Sequence, residues 1–485
     1  MDKMDKIKVR GRRFVDSLGR ERVFHGLNFP MGKTDPPTLE EPFFIKCKEL
    51  GFNILRLGPC WSKIEPEPGQ YDEDYLKLMD GIFDLSEKYG IYVFLDMHQE
   101  LWSVFGVNVG DGAPVWATLD DGYGYTKPKK IWGEGYFWGK GIFRAFDHFW
   151  NNDPVHGKGL QDHYADLWRM LARRYGDHPA FFSFDFLNEP HPGTPGGKIF
   201  RTLVANLARV IAFSPGVGHA RFFEDLDESG LGKALDILSP EVMRKVVRSA
   251  QGLVRTFDIE RYQPFIARMT KAVREVTQNG VIFLEHNYFS NIGIPFSASP
   301  PQGETQACYS PHGYDFLVDG PLYDYASSAR VGFIFGEAHN AQKRLNLPVL
   351  VGEWGSAGTL KEKDKDYGWF RHMEFLMDFF DSRGWSSTYW AYWHGLFNYD
   401  NFMAVLGRPY PVAVNGTLEK FQVCASAKIC TLWRTPSPAP LSPPTEIYLP
   451  AGYESVDAGE GAKFAMEGNR LRVFTKSPKI VVRYR

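Results

Sequence analysis

The sequence has few cysteines, no long apolar run and no excess of charge of one sign. Five cysteines in 485 residues, an odd number without a C-x-x-C pair, argue against a disulfide scaffold, a zinc knuckle or a redox motif. No stretch approaches the about 20 consecutive apolar residues of a transmembrane helix. The 56 basic and 58 acidic residues leave a net charge of −2, so we expect no nucleic-acid partner.

The N-terminal segment also lacks the apolar stretch of a secretion signal. Residues 1–6 read Met-Asp-Lys-Met-Asp-Lys, and three basic residues follow shortly afterwards: Arg10, Arg12 and Arg13. We therefore expect a cytoplasmic protein for the chain as written, or a secreted one if a leader has been removed. The expected oligomeric state is a monomer.

Short apolar runs recur through the first 400 residues and alternate with helical patterns such as Tyr75–Tyr89 and His163–Tyr175. Continuous apolar runs are typical of parallel strands that are buried on both faces. Eight strand–helix units predict a closed (β/α)₈ barrel, an α/β fold that takes about 250 residues and more with insertions. The eight predicted strands are Val23–Phe29, Asn53–Gly58, Ile91–His98, Phe181–Asn188, Val281–Glu285, Ala307–His312, Pro348–Glu353 and Ser387–Trp393.

Two connections are too long for plain crossovers, and long loops in compact domains are often functional. The first, at about 99–160, is rich in tryptophan, tyrosine and phenylalanine. The second, at about 190–265, contains apolar residues spaced three and four apart, as on one face of a helix. This stripe either packs on the barrel or forms an amphipathic lid beside the site. Its members are Phe200, Leu203, Val204, Leu207, Val210 and Ile211.

The sequence changes character after about residue 405, where helical periodicity stops. We assign residues 1–405 to the barrel and residues 406–485 to a second domain. Short apolar runs separated by turn residues, with a proline-rich segment at Thr435–Pro444, predict a small antiparallel β-sandwich there. Its predicted strands are Phe421–Ala425, Ile429–Arg434, Thr445–Leu449, Lys463–Met466, Arg470–Phe474 and Ile480–Tyr484.

Polar residues stand at the ends of most of the predicted barrel strands. Catalytic groups of such barrels cluster at the C-terminal ends of the strands. Any one such ending has a structural explanation, but six in register are hard to explain by packing alone. Lys33, shortly after the first strand, is a further candidate for a sugar contact. The residues at the strand ends are Arg56, His98, Glu100, Asn188, Glu189, His312, Tyr314, Glu353 and Trp390.

Two glutamates, Glu189 and Glu353, would face each other across the mouth of the barrel. One can protonate a leaving oxygen while the other attacks carbon, as in retaining glycosidases, whose carboxyl groups lie about 5–5.5 Å apart. Arg56 would keep Glu353 ionised, and Tyr314 would hold it in orientation. Asn188 is placed to hydrogen-bond a sugar 2-hydroxyl.

Three other side chains fit a sugar site. Trp390 offers a flat apolar face for a pyranose ring, and His98 and His312 can donate to sugar hydroxyls or to the carboxylates. The two histidines can also be metal ligands, but no motif with metal-binding spacing such as H-E-x-x-H is present. We expect no metal and no cofactor.

Together, Arg56, His98, the Asn188-Glu189-Pro190 triplet, His312 with Tyr314, Glu353 and Trp390 resemble glycoside hydrolase family 5 of the large retaining barrel clan. The resemblance extends from about residue 20 to about residue 400. It implies that Glu189 is the acid/base and Glu353 the nucleophile.

Further motifs resemble endoglycoceramidases and the related glucosylceramidases, which pair the barrel with a β-sandwich: Asp96–Glu100, Gly112–Ala117, Arg144–Trp150 and Arg408–Thr417. The resemblance implies cleavage between a glycan and ceramide, with a glycolipid substrate presented at a membrane or micelle surface. Glu100 departs from the Asp of those relatives, and its extra methylene would displace the carboxylate that contacts the sugar. The alternatives are a glucosylceramidase or steryl β-glucosidase that removes one glucose, a β-glucanase, and a non-catalytic carbohydrate-binding barrel.

Overall fold

The structure is a computed structural model. The residues that it describes are 4–32, 39–103, 111–125, 127–128, 132–212, 238–315, 317–318, 326–355, 370–438 and 443–485, without the side chains of residues 211 and 212.

The central element is a parallel sheet that closes into a barrel. Its two edge strands, Ala307–Ser310 and His312–Gly313, are consecutive pieces of the chain, so the sheet returns to its starting point. The closed (β/α)₈ barrel predicted from the apolar runs is confirmed. We number its strands one to eight: His25–Pro30, Ile54–Gly58, Tyr92–Asp96, Phe181–Asp185, Val281–Glu285, Ala307–Ser310 with His312–Gly313, Leu350–Trp354 and Ser386–Tyr389.

Helices surround the barrel and bury their apolar faces against it. The helix Glu73–Tyr89 shows how the sequence sets its limits: the Asp72 side chain accepts from two backbone N–H groups of the first turn, and Gly90 ends the helix with a φ of 72°. Among the described residues, the other α-helices are Glu41–Glu49, Trp61–Ile64, Gly135–Trp138, Lys140–Asn151, Leu160–Tyr175, Thr194–Ala212, Pro240–Arg248, Gln251–Phe257, Gln263–Arg274, Ser328–Leu345, Phe370–Asp381 and Asp400–Leu406. One π-helical turn spans Asp258–Tyr262, and short 3₁₀ turns lie at Val115–Ala117, Trp132–Glu134, Tyr288–Ile292 and Leu396–Asn398.

The C-terminal residues form the predicted antiparallel sandwich. One sheet contains four strands, in the order Gly416–Cys424, Ile429–Pro436, Lys479–Tyr484 and Tyr453–Asp457. The facing sheet contains seven, in the order Lys8–Arg10, Arg13–Val15, Glu21–Arg22, Tyr410–Val414, Thr445–Tyr448, Arg470–Phe474 and Lys463–Glu467. The apolar side chains between the sheets form a core of their own.

Five of these strands were not expected from the sequence. Three of them come from the N-terminus, where Glu21–Arg22 pairs antiparallel with Tyr410–Val414. The three N-terminal strands thus complete a sheet whose other four strands come from the C-terminal part of the chain. Strands of two or three residues carry too little alternation to be recognised before their partner is known. The division of the chain near residue 405 stays a prediction.

Within the first long connection, Tyr136 contacts the segment that directly follows strand three: its hydroxyl accepts from the Leu101 backbone N–H at 2.7 Å and donates to Gln99 Oε1 at 3.2 Å. A small hairpin of Pro154–Val155 and Lys158–Gly159 precedes the next helix.

The apolar stripe of the second connection lies on the helix Thr194–Ala212, as its spacing predicted. Leu203 packs in a core cluster with the helix Pro240–Arg248. This agrees with the interpretation of the stripe as a packing face. Val204 is 46% exposed, and Phe200 stacks on Phe137 with ring centroids 4.4 Å apart. The side chain of Ile211 lies outside the described residues.

No helix in the described ranges is long and apolar enough to cross a membrane.

Candidate active site

Arg56 lies at the centre of the carboxyl end of the barrel. It is fully buried on strand two, and its Nη1 donates to Asn28 Oδ1 at 3.1 Å and to Glu353 Oε1. Its Nη2 donates to Asn188 Oδ1 at 2.9 Å. One guanidinium on strand two therefore contacts groups on strands one and seven and just beyond the end of strand four. Buried carboxylates around it raise its pKa although burial by itself lowers it, so Arg56 is a permanent cation.

Glu353, on strand seven, is held through both of its oxygens. Arg56 contacts Oε1, and the hydroxyl of Tyr314 donates to Oε2 at 2.8 Å. Burial raises the pKa of Glu353 above its ordinary value, whereas Arg56, His98 and the Tyr314 hydrogen bond lower it. The expected pairing with Arg56 is present and opposes the desolvation that would otherwise protonate this carboxylate.

Glu189 lies just beyond strand four and faces Glu353. Its Oε1 accepts from Asn291 Nδ2 at 2.6 Å and lies 3.2 Å from His312 Nδ1. Burial, followed by the charge of Arg56, lowers the pKa of His312 well below its ordinary value, so this imidazole is neutral at pH 7. A carboxylate oxygen of Glu189, one of Glu353 and a ring nitrogen of His312 all lie within 4.8 Å of one another.

The backbone of Glu189 adopts the left-handed conformation, with a φ of 44°. Residues other than glycine and asparagine rarely adopt this backbone conformation, and the positions where they do cluster at functional sites. The Glu189 N–H donates to Glu285 Oε1 at 2.5 Å. Gln99 Nε2 donates to the carbonyls of Asn188, at 2.9 Å, and of Glu189, at 3.4 Å. Neighbouring side chains thus stabilise an otherwise unfavourable turn.

Three more carboxyl groups lie beneath the two glutamates, all contacting Nη2 of Arg56. Asp96 is 3.1 Å away, Glu285 3.4 Å and Asp185 3.6 Å. Burial raises the pKa of Asp96 to about 7 and that of Asp185 to about 8, although Arg56 lowers both. Burial also raises the pKa of Glu285 well above its ordinary value. A single buried cation cannot balance four ionised carboxylates, so the cluster retains protons at neutral pH.

A flat aromatic surface lies beside the carboxylates. The rings of His98 and Trp390 stack with centroids 5.0 Å apart and planes 19° from parallel, and His98 Nδ1 lies 2.7 Å from Asp96 Oδ2. Trp390 is only partly buried, so the ring face away from His98 is available to an apolar sugar face.

Two groups of side chains in the described parts of the chain are close enough to share a metal ion: Glu189 with His312 and Glu353, and Asp96 with Asp185 and Glu285. The sequence showed no metal-ligand motif, and the fold assembles both groups from separate strands. In the second group Arg56 already contacts all three carboxylates. The expectation that no metal is needed stays a prediction.

The structure brings most of the predicted site residues together, namely Arg56, His98, Asn188, Glu189, His312, Tyr314, Glu353 and Trp390. Glu100 lies at the same end of the barrel, where its backbone pairs with that of Asp111. Lys33 lies outside the described residues.

Sequence reasoning missed several residues of this region, including Asn28 on strand one and Asp96 at the end of strand three. Glu285 ends a predicted strand, and Asp185 lies within another, so the rule that found the other strand ends would have found Glu285. Gln99 follows strand three within the motif Asp96–Glu100, of which the sequence predicted only His98 and Glu100 as site residues. Asn291 lies in a 3₁₀ turn with no signal of its own.

Comparison with known proteins identifies the family of this chain. The family model described as cellulase (glycosyl hydrolase family 5) matches residues 15–213 and 248–395. The chain belongs to glycosyl hydrolase family 5. The model of the family 5 C-terminal domain matches residues 408–482, which is the sandwich.

The chain is similar to an endoglycoceramidase of Cyanea nozakii, with 34% identity over 210 residues that cover 38% of this chain and 41% of that protein. It is 27% identical over 250 residues to a glucosylceramidase of Rhizopus delemar, covering 39% and 36% of the two chains. The matched part thus spans about two fifths of these curated relatives. The solved structure of endo-glycoceramidase II from Rhodococcus sp. superposes with a TM-score of 0.72 at 25% identity, over 97% of this chain and 99% of that one.

Proposed function

We propose that this family 5 enzyme is a retaining β-glycosidase that cleaves the bond between the glycan and the ceramide of glycosphingolipids. The observation that supports the mechanism is the approach of carboxylate oxygens of Glu189 and Glu353 to within 4.8 Å. A separation of about 5–5.5 Å suits direct attack by one carboxylate, whereas inverting enzymes need about 6.5–9.5 Å to admit a water molecule.

In this proposal Glu353 is the nucleophile. It attacks the anomeric carbon while Glu189 protonates the glycosidic oxygen, and ceramide leaves as the alcohol. A covalent glycosyl–enzyme ester forms on Glu353. Glu189, now ionised, then removes a proton from water, which attacks the same carbon and releases the sugar with its original configuration. Arg56 and Tyr314 stabilise Glu353 as it regains its negative charge.

The remaining side chains would bind the sugar. Asn188, fixed by Arg56 and by its own bond to the Gln99 carbonyl at 3.0 Å, would contact the 2-hydroxyl. Trp390 would stack on the ring, and His98 and Glu100 would bind other hydroxyls. Lys33 remains a proposed contact from sequence alone.

The glycolipid substrate is supported by the names of the relatives and by aromatic side chains beside the site. Phe137 contacts Tyr288, which follows strand five, and the neighbouring Trp138 is 49% exposed. Trp138 also contacts Phe200 on the helix Thr194–Ala212, with ring centroids 5.8 Å apart. An exposed aromatic surface of this kind suits a lipid aglycone presented at a membrane or micelle surface. We propose that the enzyme acts there as a monomer.

The test is hydrolysis of glucosylceramide, lactosylceramide, a ganglioside, a steryl glucoside and cellotetraose, with identification of each product. Release of intact lactose together with ceramide is the expected result. The Glu353→Ser variant serves as the control for contaminating hydrolases. Cleavage of cellotetraose alone would contradict the glycolipid assignment.

A second candidate is a glucosylceramidase, favoured by the similarity to the Rhizopus delemar protein of that name. The same panel separates the two. A glucosylceramidase would release glucose from glucosylceramide and leave lactosylceramide and the ganglioside intact.

A further inference from the structure

Glu285 is a buried carboxyl group that contacts three of the groups assigned to the reaction. It is the last residue of strand five and is 1% exposed. Its Oε1 accepts from the Glu189 backbone N–H at 2.5 Å, and its Oε2 lies 3.4 Å from Arg56 Nη2 and 3.6 Å from His312 Nε2. It therefore touches the backbone of the acid/base, the arginine that contacts Glu353, and the histidine that lies beside both glutamates.

The contact with Glu189 is made at a strained position of the backbone. The left-handed backbone of Glu189 is unfavourable for a residue with a Cβ atom and persists only where surrounding groups hold it. Glu285 holds the N–H of this residue, and Gln99 holds its carbonyl. Without the Glu285 contact, the peptide before Glu189 is held only through the Asn188 carbonyl by Gln99 Nε2 at 2.9 Å, and the carboxyl group is less well aligned with the glycosidic oxygen. A displacement of about 1 Å can cost about 100-fold in rate.

The charge around Glu285 indicates the form in which it acts. Asp96, Asp185 and Glu285 share a single guanidinium nitrogen, and Glu353 contacts the other one. Since one cation cannot balance four buried anions, protons remain within the cluster. A neutral carboxylic acid at position 285 still offers a carbonyl oxygen to the Glu189 N–H. Glutamine, which is neutral and of the same shape, reproduces that acceptor.

We propose that Glu285 is a positioning residue for the acid/base: its Oε1 accepts from the Glu189 backbone N–H and so holds the turn that carries the Glu189 carboxyl group. The proposal rests on the proposed function, because it assumes that Glu189 donates the proton to the leaving group. A positioning role predicts a selective defect. Poor leaving groups need the proton, whereas activated aryl leaving groups depart without it.

The experiment compares Glu285→Ala, Glu285→Asp and Glu285→Gln on lactosylceramide and on 2,4-dinitrophenyl β-lactoside. Glu285→Ala and Glu285→Asp, which withdraw the acceptor, should lower kcat on lactosylceramide by about 100-fold and on the aryl glycoside by less than about 10-fold. Glu285→Gln should stay within about 5-fold of the wild type on both, because it restores the acceptor.

Glu65 provides a matched control. It is also a 1% exposed glutamate with two hydrogen bonds, from Trp61 Nε1 at 2.7 Å and from the Gly69 N–H at 2.6 Å, and it contacts no group of the site. Glu65→Ala should lower Tm through loss of a buried partner yet affect both substrates equally.

Equal losses on the two substrates for Glu285→Ala or Glu285→Asp would overturn the proposal, as would a selective loss for Glu285→Gln. If Glu285→Ala does not fold, Glu285→Asp and Glu285→Gln decide the matter by the same comparison. A wild-type protein that cleaves neither lactoside would instead overturn the proposed function, so the two failures are distinguishable.

Discussion

The hydroxyl of Tyr314 donates a 2.8 Å hydrogen bond to Oε2 of Glu353, the carboxylate oxygen opposite the one that Arg56 contacts. Both contacts stabilise the ionised carboxylate, and burial acts against them. The first prediction follows from this opposition.

Tyr314→Phe should move the acid limb of the kcat/KM profile to higher pH. The Tyr314 bond lowers the pKa of Glu353, so its removal raises that pKa, and the ionised nucleophile is then lost at a higher pH on acidification. The measurement is the pH profile of wild type and variant on the same aryl lactoside. An unchanged acid limb would contradict this role of Tyr314.

Glu353→Ser should abolish hydrolysis while preserving the fold, and it should accept an α-lactosyl fluoride as a glycosyl donor. Glu353 is the proposed nucleophile, and the serine leaves space for a preformed leaving group. Mass spectrometry of the wild type treated with a 2-fluoro sugar should find the label on Glu353. A label on Glu189 would reverse the two roles.

Glu189→Ala should damage lactosylceramide cleavage far more than cleavage of an activated aryl lactoside, since general acid catalysis contributes about 10²–10⁴-fold. Azide should partly restore turnover of the aryl substrate by replacing the water that Glu189 would activate. The azide adduct should have the β configuration. Equal losses on both substrates without rescue would be evidence against the acid/base assignment.

The reaction should retain the β configuration. A carboxylate oxygen of Glu189 and one of Glu353 lie within 4.8 Å of each other, which suits direct attack better than the about 6.5–9.5 Å separation that admits a water molecule. Proton NMR during the first minutes of hydrolysis, before mutarotation, should show the β anomer of the released glycan. An initial α anomer would rule out the covalent intermediate.

Trp138→Ser should raise KM for ceramide glycosides and leave short aryl glycosides nearly unchanged, because the exposed ring is proposed to contact the lipid. Leu203→Ser is the matched control on the neighbouring helix. Leu203 lies in a core cluster, so its replacement should cost about 2–5 kcal/mol of stability and affect every substrate alike. If Trp138→Ser changes both substrates equally, the lipid contact is wrong.

The eight barrel strands could be predicted because their evidence is local. Each strand of a parallel barrel is buried on both faces, so each appears as a continuous apolar run, and Phe181–Asp185 and Val281–Glu285 are typical. The short N-terminal strands could not be predicted in this way. Glu21–Arg22 becomes a strand only because Tyr410–Val414 provides its partner.

The site divides along the same line. Arg56, Glu189 and Glu353 were found because each lies near the end of an apolar run, and barrel topology brings such ends to one face. Asn291 could not be found, since its contact with Glu189 depends on how the turn Tyr288–Ile292 folds over the barrel mouth.

The sequence by itself determined the barrel, the sandwich and the residue types available at the strand ends, because burial periodicity and strand termination are properties of neighbouring residues. Only the tertiary structure decided how close the oxygens of Glu189 and Glu353 come and that Glu285 holds the Glu189 backbone. These relationships depend on the closure and stagger of the barrel, which set the distances between side chains from different strands.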